Sequence, residues 1–360
     1  MAVIAKESAP TFLVALDEHA RAWNIVRAYG QSSLARFALL DDKQFFFNAG
    51  GSLISYVVKN RVALVLGDPI GPAEDACACI VEFRQYCTAR FLLPAFYQVS
   101  PSLLDGYTSL GFDSLLIGRE AIVEVCQFTL EGSSNKTLRN SYNKLLRQGY
   151  YCEVLMPPHS AHMMRELKEI SNDWLVRRGA TEFRFLGWFD EAYLNSCCIL
   201  IARDREGFLE AFLNLVPEFQ ANEVAVDLMR QRRQTESGLM DFLFVSLFCW
   251  AKENHYSTIN VGLSALSGVG ECATDPIIER ALNRFYWKTN FSNFRGLFLF
   301  KQKFHPAWSP RYLIFPGIFS LPLAGLALFR ALYPNFVSTF FRRFFRRLRK
   351  QGSGINKPRL

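Results

Sequence analysis

The sequence predicts an α/β fold built from two copies of one strand–loop–helix–strand unit. Three observations carry this. RVALVLGDPIGP, a helical stretch and FLLPAFYQV in the first half match in pattern EVAVDLMRQRRQ, a helical stretch and TINVGLSAL in the second. Short β-rich runs alternate with stretches of helical period, the arrangement of α/β proteins. The chain has 360 residues, half of them hydrophobic and 33 of them Phe, enough for two domains of roughly 150 residues each. Two units are therefore expected in preference to one long sheet.

Composition excludes several function classes. No apolar run reaches the roughly 18 residues of a spanning helix. The N-terminus has no basic region ahead of its apolar stretch, so it does not read as a secretory signal. The nine cysteines include the close pairs Cys77/Cys79 and Cys197/Cys198 and form no C-x-x-C motif; they read as reduced thiols in a cytosolic setting. Five scattered histidines offer no zinc spacing, and no metal is expected. A net charge of +8 favours a polyanionic or membrane partner.

In chain order, residues 11–40 read as helix, with Phe12, Leu13, Leu16, Ala20 and Trp23 in one stripe and a break at Gly30. Phe45–Phe47, Leu53–Val58 and Val62–Leu66 are short strands split by turn signals, the last stopped by Gly67-Asp68-Pro69. A helix over Glu74–Ala89, a strand over Phe91–Val99, a short helix over Tyr107–Phe112 and a strand over Ser114–Val125 follow. Leu138–Arg147 is a helix of different character. Lys136, Arg139, Lys144 and Arg147 share much of one side, and no acid occurs between Gly132 and Cys152. A phosphate-binding face is expected there, with a solvated face as the alternative. In the second half, Ala161–Arg178 reads as helix, and Phe183–Leu186, Ile199–Ala202, Phe208–Leu215, Val224–Val226 and Thr258–Leu263 as strands.

The stretch Ala225–Glu253 organises the rest. A strand ends at Val226, and Asp227, Arg230, Arg232 and Arg233 follow as a loop. From Ser237 the spacing of Leu239, Phe242, Leu243, Val245, Ser246 and Trp250 is helical, with Thr235 or Ser237 expected as cap. An acid and three arginines between a strand end and a helix N-terminus suit an anion; a solvated basic turn is the alternative. Further on, Leu297–Phe304 reads as a strand that places Lys301 and Lys303 on one face, a clamp for a phosphate or an ester. An edge strand protected by lysines is the competing interpretation. Ile314–Leu332, interrupted by Pro316, Pro322 and Arg330, reads as interfacial or packed. From Pro334 to Lys350, Val337 and Phe340, Phe341, Phe344, Phe345 and Leu348 fall on one helical side, with Arg342, Arg343, Arg346, Arg347 and Lys350 largely on the other. That amphipathic tail fits a helix lying in an anionic membrane surface, a partner-binding or nucleic-acid helix being the alternative.

Taken together, the chain resembles the C-terminal catalytic domain of bacterial phosphatidylglycerol aminoacyltransferases, the lysyl- and alanyl-phosphatidylglycerol synthases of the multiple peptide resistance factor family. The resemblance covers roughly residues 15–315. It rests on Gly67-Asp68-Pro69-Ile70-Gly71, the basic LRNSYNKLLRQGY helix, Trp174-Leu175 followed by EFRFLGWFD, DLMR at Asp227–Arg230, GLMDFLF at Gly238–Phe244, WAKE at Trp250–Glu253 and FRGLFLFKQKFHPAWSPRYL at Phe294–Leu313. It implies a tandem GNAT-like fold: a first unit over 1–130, a basic connecting helix over 131–150, a second, catalytic unit over 151–313 and the tail over 314–360.

The implied activity moves an amino acid, lysine first and alanine second, from aminoacyl-tRNA to the headgroup hydroxyl of phosphatidylglycerol. It would act as a peripheral enzyme on the cytoplasmic face of the bacterial inner membrane. One ester is exchanged for another, so neither cofactor nor metal is expected; the work is positioning and charge stabilisation. Asp227 is assigned to orienting the attacking hydroxyl or the substrate amine and Arg230 to a phosphate. Lys301 or Lys303 is assigned to the developing oxyanion or the leaving ribose oxygen. Glu182 is a candidate for the aminoacyl ammonium. Gly238, Asp241 and Arg295, within the matching motifs, are implied to line the substrate site, and Lys136, Arg139, Lys144 and Arg147 to receive tRNA phosphates. Relatives often carry a long multi-span flippase region upstream; this sequence shows none, so translocation is not expected of it and a separate flippase is a possible partner. VGLSALSG at Val261–Gly268 departs from the LGxAPLSG of relatives, beside the implied pocket. Two rivals belong to other classes. An acyl-CoA-dependent N-acyltransferase of the same fold would need a glycine-rich pyrophosphate loop where RQRRQTESGL has one glycine. A non-catalytic membrane-associated RNA-binding protein would tolerate loss of Asp227.

Overall fold

A computed structural model describes residues 11–178, 182, 185–217, 219–220, 222–288 and 292–334. The first half contains helices α1 (Thr11–Tyr29) and α2 (Ser33–Phe37), strands β1 (Gln44–Phe47), β2 (Leu53–Lys59) and β3 (Val62–Leu66), and helix α3 (Ala76–Ala89). Strand β4 (Leu93–Val99), helix α4 (Leu104–Ser109) and strand β5 (Asp113–Glu124) complete it. The basic helix α5 (Lys136–Arg147) leads to β6 (Tyr151–Leu155), α6 (Ala161–Arg178) and α7 (Glu191–Leu194). The second half continues through β7 (Cys198–Arg203), β8 (Leu209–Pro217), β9 (Glu223–Gln231), α8 (Leu239–Glu253) and β10 (Thr258–Ala265). It ends with α9 (Ile277–Lys288), α10 (Ser292–Gln302), β11 (Ala307–Phe315) and α11 (Leu321–Leu332).

The strands form one continuous sheet in the order β1-β2-β3-β4-β11-β5-β10-β9-β8-β7-β6. The expected repeat is present, in β3–α3–β4 and β9–α8–β10, each a parallel pair joined by a helical crossover. The units do not stand apart as separate sheets, however. β11, from the end of the second half, pairs antiparallel with β4 and with β5, and β5 pairs with β10. The long β5 thus joins the halves through backbone hydrogen bonds, and a joint of that kind leaves no apolar sheet edge to cover. The sheet lies between two helical layers. One apolar cluster joins α2, α6, α7 and α11 on one face. On the other, α5 and α8 pack in one cluster and α3 and α4 in another.

Several elements depart from the sequence reading. β9 does not stop at Val226 but runs on to Gln231, so Asp227 and Arg230 are strand residues and not loop residues. The charges misled because both side chains find partners inside the protein. α8 begins at Leu239 behind Gly238, at φ 92°, and neither Thr235 nor Ser237 caps it. Leu297–Phe304 is not a strand; it lies in α10 and the turn that follows. Its alternating pattern conceals an i,i+4 pair, Phe300 and Phe304, that packs on Phe244 of α8 with ring centroids 5.2 Å apart. Lys301 and Lys303 consequently do not share a strand face. Phe185 and Leu186 form a bend, not a strand, and Phe183 lies outside the described residues. Phe91 sits in a turn at φ 55° ahead of β4. The amphipathic tail expected beyond Pro334 lies outside the described residues.

Candidate active site

The parallel β9–β10 ladder pairs only Glu223–Ala225 with Thr258–Asn260, although both strands continue. Each strand has a local reason to part from the other. In β10 the register with β5 shifts between Asn260 and Leu263, where Asn260 Oδ1 accepts from the Gly262 amide (2.8 Å) and Gly262 takes φ 82°. In β9 the register with β8 shifts across Asn214, so Asp227 and Leu228 together oppose one residue. Such a bulge re-aims a side chain, and bulges cluster beside active sites. The shift is fixed by Asn214, fully buried, whose Oδ1 accepts from the Leu228 amide at 2.6 Å.

The bulge turns Asp227 into the α6–α7 layer. Its Oδ2 accepts from the Tyr193 hydroxyl (2.9 Å), which itself accepts from Asn214 Nδ2 (3.0 Å). Gly187 lies against the carboxylate: a Cβ there would come within 1.6 Å of Oδ2, so only glycine leaves the group in place. Burial pushes the Asp227 carboxyl up to about 6, against the lowering effect of the Tyr193 hydrogen bond and the Arg230 charge. A carboxylate that titrates near neutrality is fitted to take and return protons.

Arg230, three residues along β9, is buried with its guanidinium carbon 3.9 Å from the centre of the Trp174 ring. Its Nη2 donates to Glu182 Oε2 (3.0 Å), and Ser171 Oγ donates to Glu182 Oε1 (3.3 Å). The structure therefore brings Asp227, Arg230 and Glu182 together as expected, but Glu182 is engaged by Arg230.

Lys301 approaches the parted strands from α10, in the opposite layer. Its Nζ donates to the carbonyls of Gly262 (2.8 Å) and Leu263 (2.9 Å). A Cβ on Gly262 would lie 3.7 Å from that Nζ and 3.8 Å from the Val226 carbonyl oxygen, which places the amine near the gap between the strands. Burial lowers Lys301 to about 7; the Glu120 charge opposes this. Glu120 is in turn ion-paired with Arg311 of β11. Lys303 is elsewhere: its Nζ holds both carboxylate oxygens of Asp241 on α8 (2.8 and 3.0 Å). That ion pair joins the turn after α10 to α8. Gly238 packs on α5, where a Cβ would come within 2.9 Å of Ser141. Arg295 is an exposed residue of α10.

A cavity of about 230 Å³ opens between α1, α2 and α7. Trp23, Arg36, Asp41, Trp188, Asp190 and Tyr193 are among its walls, so Tyr193 borders both the cavity and Asp227. Among the described residues no group of His, Cys, Asp and Glu is placed to hold a metal ion.

Comparisons with known proteins establish the family. The family model described as phosphatidylglycerol lysyltransferase, C-terminal, matches residues 23–315. The chain belongs to that family. A phosphatidylglycerol lysyltransferase of Staphylococcus xylosus is 34% identical over 321 residues, 89% of this chain and 38% of the relative. One from Bacillus subtilis is 34% identical over 288 residues, 79% of this chain and 34% of the relative. The chain thus spans little more than a third of the length of the curated relatives it matches. The solved L-PGS of Bacillus licheniformis superposes with a TM-score of 0.77 at 31% identity, covering 92% of this chain and 98% of that one. The C-terminal domain of a putative lysylphosphatidylglycerol synthetase from Agrobacterium fabrum gives 0.78 at 31% identity, covering 88% and 97%. FemX shares the fold, with a TM-score of 0.57 at 10% identity. The tandem GNAT-like architecture implied by the sequence is the architecture observed. Within this family fold, sequence reasoning missed Tyr193 and Asn214, the two residues that set Asp227. Asn214 left a signal, a lone amide inside the apolar run FLNLV, since Asn is depleted in strands. Tyr193 left none.

Proposed function

We propose that this chain transfers an aminoacyl group, lysyl by preference and alanyl next, from aminoacyl-tRNA to a headgroup hydroxyl of phosphatidylglycerol. The observation that carries this is the buried Asp227 carboxylate, turned by a bulge into the α6–α7 layer two residues beyond the last β9–β10 pair. Its pKa of about 6 suits a base for a hydroxyl nucleophile. In the reaction the lipid hydroxyl attacks the ester carbonyl and gives its proton to Asp227. The carbonyl–ribose oxygen bond breaks, and the ribose oxygen leaves with a proton from the Lys301 ammonium. Lys301 also offers positive charge to the oxyanion; Lys303, tied to Asp241, supports α10 instead. Arg230, held by Glu182 and Trp174, faces a phosphate of lipid or tRNA. The carboxylates of Asp41 and Asp190 in the adjoining cavity suit the ammonium of a lysyl side chain, beside Arg36, whose guanidinium lies over the Trp23 ring. That arrangement replaces Glu182 in the role. Ester exchange needs no ATP, cofactor or metal. The catalytic fold works at the cytoplasmic membrane face.

An acyl-CoA-dependent reaction is disfavoured by the start of α8. Its N-terminus, where a pyrophosphate would rest on free amides, is faced by α5 through Gly238 and Ser141. The deciding experiment incubates purified protein with a panel of charged tRNAs and phosphatidylglycerol vesicles, without ATP or CoA, and reads lipids by mass spectrometry. Lysylated lipid is expected. No lipid product from any tRNA, with acetyl-CoA consumed against an amine, would establish the acyltransferase reading instead.

A further inference from the structure

Helix α11 is inverted relative to an ordinary surface helix. The residues it buries deepest are small: Ala324 and Ala327 are fully buried and Ala331 nearly so, packed in the cluster that contains Val57 and Leu64 of the sheet. Several of its large apolar side chains point outward. Leu323, Leu326 and Phe329 are 38%, 43% and 39% exposed, and the preceding turn adds Ile318 at 45% and Phe319 at 96%. A surface helix that packs on the core usually hides its Leu and Phe and shows charge. Here Arg330 is the one charged residue from Ile318 to Leu332, and it is turned aside to Asn60 Oδ1 (3.1 Å). A contiguous apolar face of this kind marks a docking surface.

The distribution of charge names the occupant. From Arg280 to Leu360 the sequence contains no Asp or Glu, yet it holds 16 of the chain's 41 Lys and Arg. Residues 1–279 therefore carry all 33 acids against 25 basic residues and are net negative. The apolar helix face lies within this long acid-free segment. A protein partner would not demand that; an anionic lipid leaflet repels acids and attracts Lys and Arg. We propose that the outward face of α11, with Ile318 and Phe319, is the surface on which this protein docks on an anionic bilayer. This deepens the reading above, in which the acceptor is an anionic lipid. The apolar cluster beneath α11 also contains Leu228 and Tyr193, so docking sets the bilayer on the Asp227 side of the sheet.

The test uses the full chain and vesicles without any aminoacyl-tRNA, so that binding is read apart from turnover. Sedimentation with phosphatidylglycerol vesicles is compared between the wild type and the double variant Phe319→Asp/Leu326→Asp, with neutral phosphatidylcholine vesicles as control. The partition coefficient is expected to fall at least about tenfold in the variant, and by a similar factor for the wild type on neutral vesicles. Both residues are exposed, and unchanged thermal unfolding together with unchanged turnover on detergent-dispersed short-chain lipid would show that fold and site are intact. Retained vesicle binding in the double variant overturns the proposal. So does equal binding to neutral and anionic vesicles. Retained vesicle binding with loss of self-association in light scattering would make the face a contact between copies. Absence of turnover in both proteins, with the binding difference intact, would instead fault the proposed reaction and leave the docking surface standing.

Discussion

The two parallel pairs of the sheet have one topology and two characters. In β3–α3–β4 the ladder runs unbroken from Val62/Leu93 to Leu66/Tyr97, and every residue of β3 is buried and apolar. In β9–α8–β10 the ladder ends after three pairs, both strands are offset, and β9 carries Asp227 and buried Arg230. The first pair has its own acid, Asp68, just past the end of β3. Its carboxylate accepts from the Ser100 amide (3.0 Å) and burial raises its pKa against the charge of Arg311, but the β3–β4 ladder beside it stays paired to its end. The same crossover thus serves as packing in one half and as a site in the other. What separates them is interruption of backbone pairing: a complete ladder leaves no room for substrate, whereas a parted one exposes polar backbone and admits charged side chains.

The largest effects should separate the halves outright. Asp227→Asn and Arg230→Ala are each expected to lower turnover at least about a hundredfold, the scale on which a positioned catalytic group acts. Asp68→Asn should leave turnover unchanged and act, if at all, on the unfolding midpoint. Turnover assays on the three variants check this, and near-normal rates for both second-half variants would move the site elsewhere. The pH dependence sharpens the contrast. Activity should rise as Asp227 ionises near pH 6 and fall as the Lys301 ammonium is lost near pH 7, giving a narrow bell in kcat/KM. Lys301→Met should remove the alkaline limb at a reduced rate. Asp227 has a stability signature as well. Its folded pKa lies above its ordinary 3.8, so the native state binds the extra proton and loses stability as pH rises from about 4 to 6, with no further change above. Urea unfolding should show Asp227→Asn gaining on the wild type across that window.

Much of this was legible in the sequence, and what was not has a common cause. The paired crossovers, the basic helix and the span of α6 follow from local periodicity. Asp227 and Arg230 were recognisable as a pair, but as loop residues, because charge in sequence reads as exposure. The partners that bury them, Tyr193, Asn214, Trp174 and Glu182, lie between 13 and 56 residues away in the chain. The LFLFKQKF segment failed for a different reason. Phe at alternate positions fits a strand of period two, and the same residues supply the i,i+4 pair that packs α10 on α8. Only the partner surface decides between these periods, and that surface is tertiary.

A smaller effect tests the second-half site without touching its charges. Gly187→Ala introduces a methyl that overlaps the Asp227 carboxylate, which the Tyr193 hydrogen bond prevents from simply rotating away. A displacement of about an ångström is expected to cost tens of fold in kcat, with the fold retained. In the first half, Gly67 stands at φ 75° at the end of β3, where alanine has room but a strained backbone. Gly67→Ala should therefore lower stability by about 1 kcal/mol and spare kcat. Thermal unfolding and steady-state kinetics on both variants read the two outcomes separately.

The smallest expected effect concerns α5, the basic helix that packs on α8 of the second pair. Its four cations are not alike. Arg139 Nη1 donates to the Leu130 and Gly132 carbonyls (2.5 and 3.0 Å), so it secures the loop ahead of the helix. Lys144 is half-exposed and paired with Glu236 (2.8 Å), while Lys136 and Arg147 are exposed. If α5 receives the acceptor stem, Lys136→Glu/Arg147→Glu should raise KM for aminoacyl-tRNA severalfold while kcat is kept, because phosphate contacts position the ligand without entering the chemistry. The difference from wild type should shrink as salt is raised, since two lost contacts lower the number of counterions released on binding. Arg139→Ala should behave otherwise, reducing the unfolding midpoint through its two orphaned carbonyls, with a loss that salt does not erase. Steady-state kinetics across a salt series distinguishes the two. An unchanged KM in the double charge reversal would return α5 to a solvated face, and the second pair would then differ from the first in its strands alone.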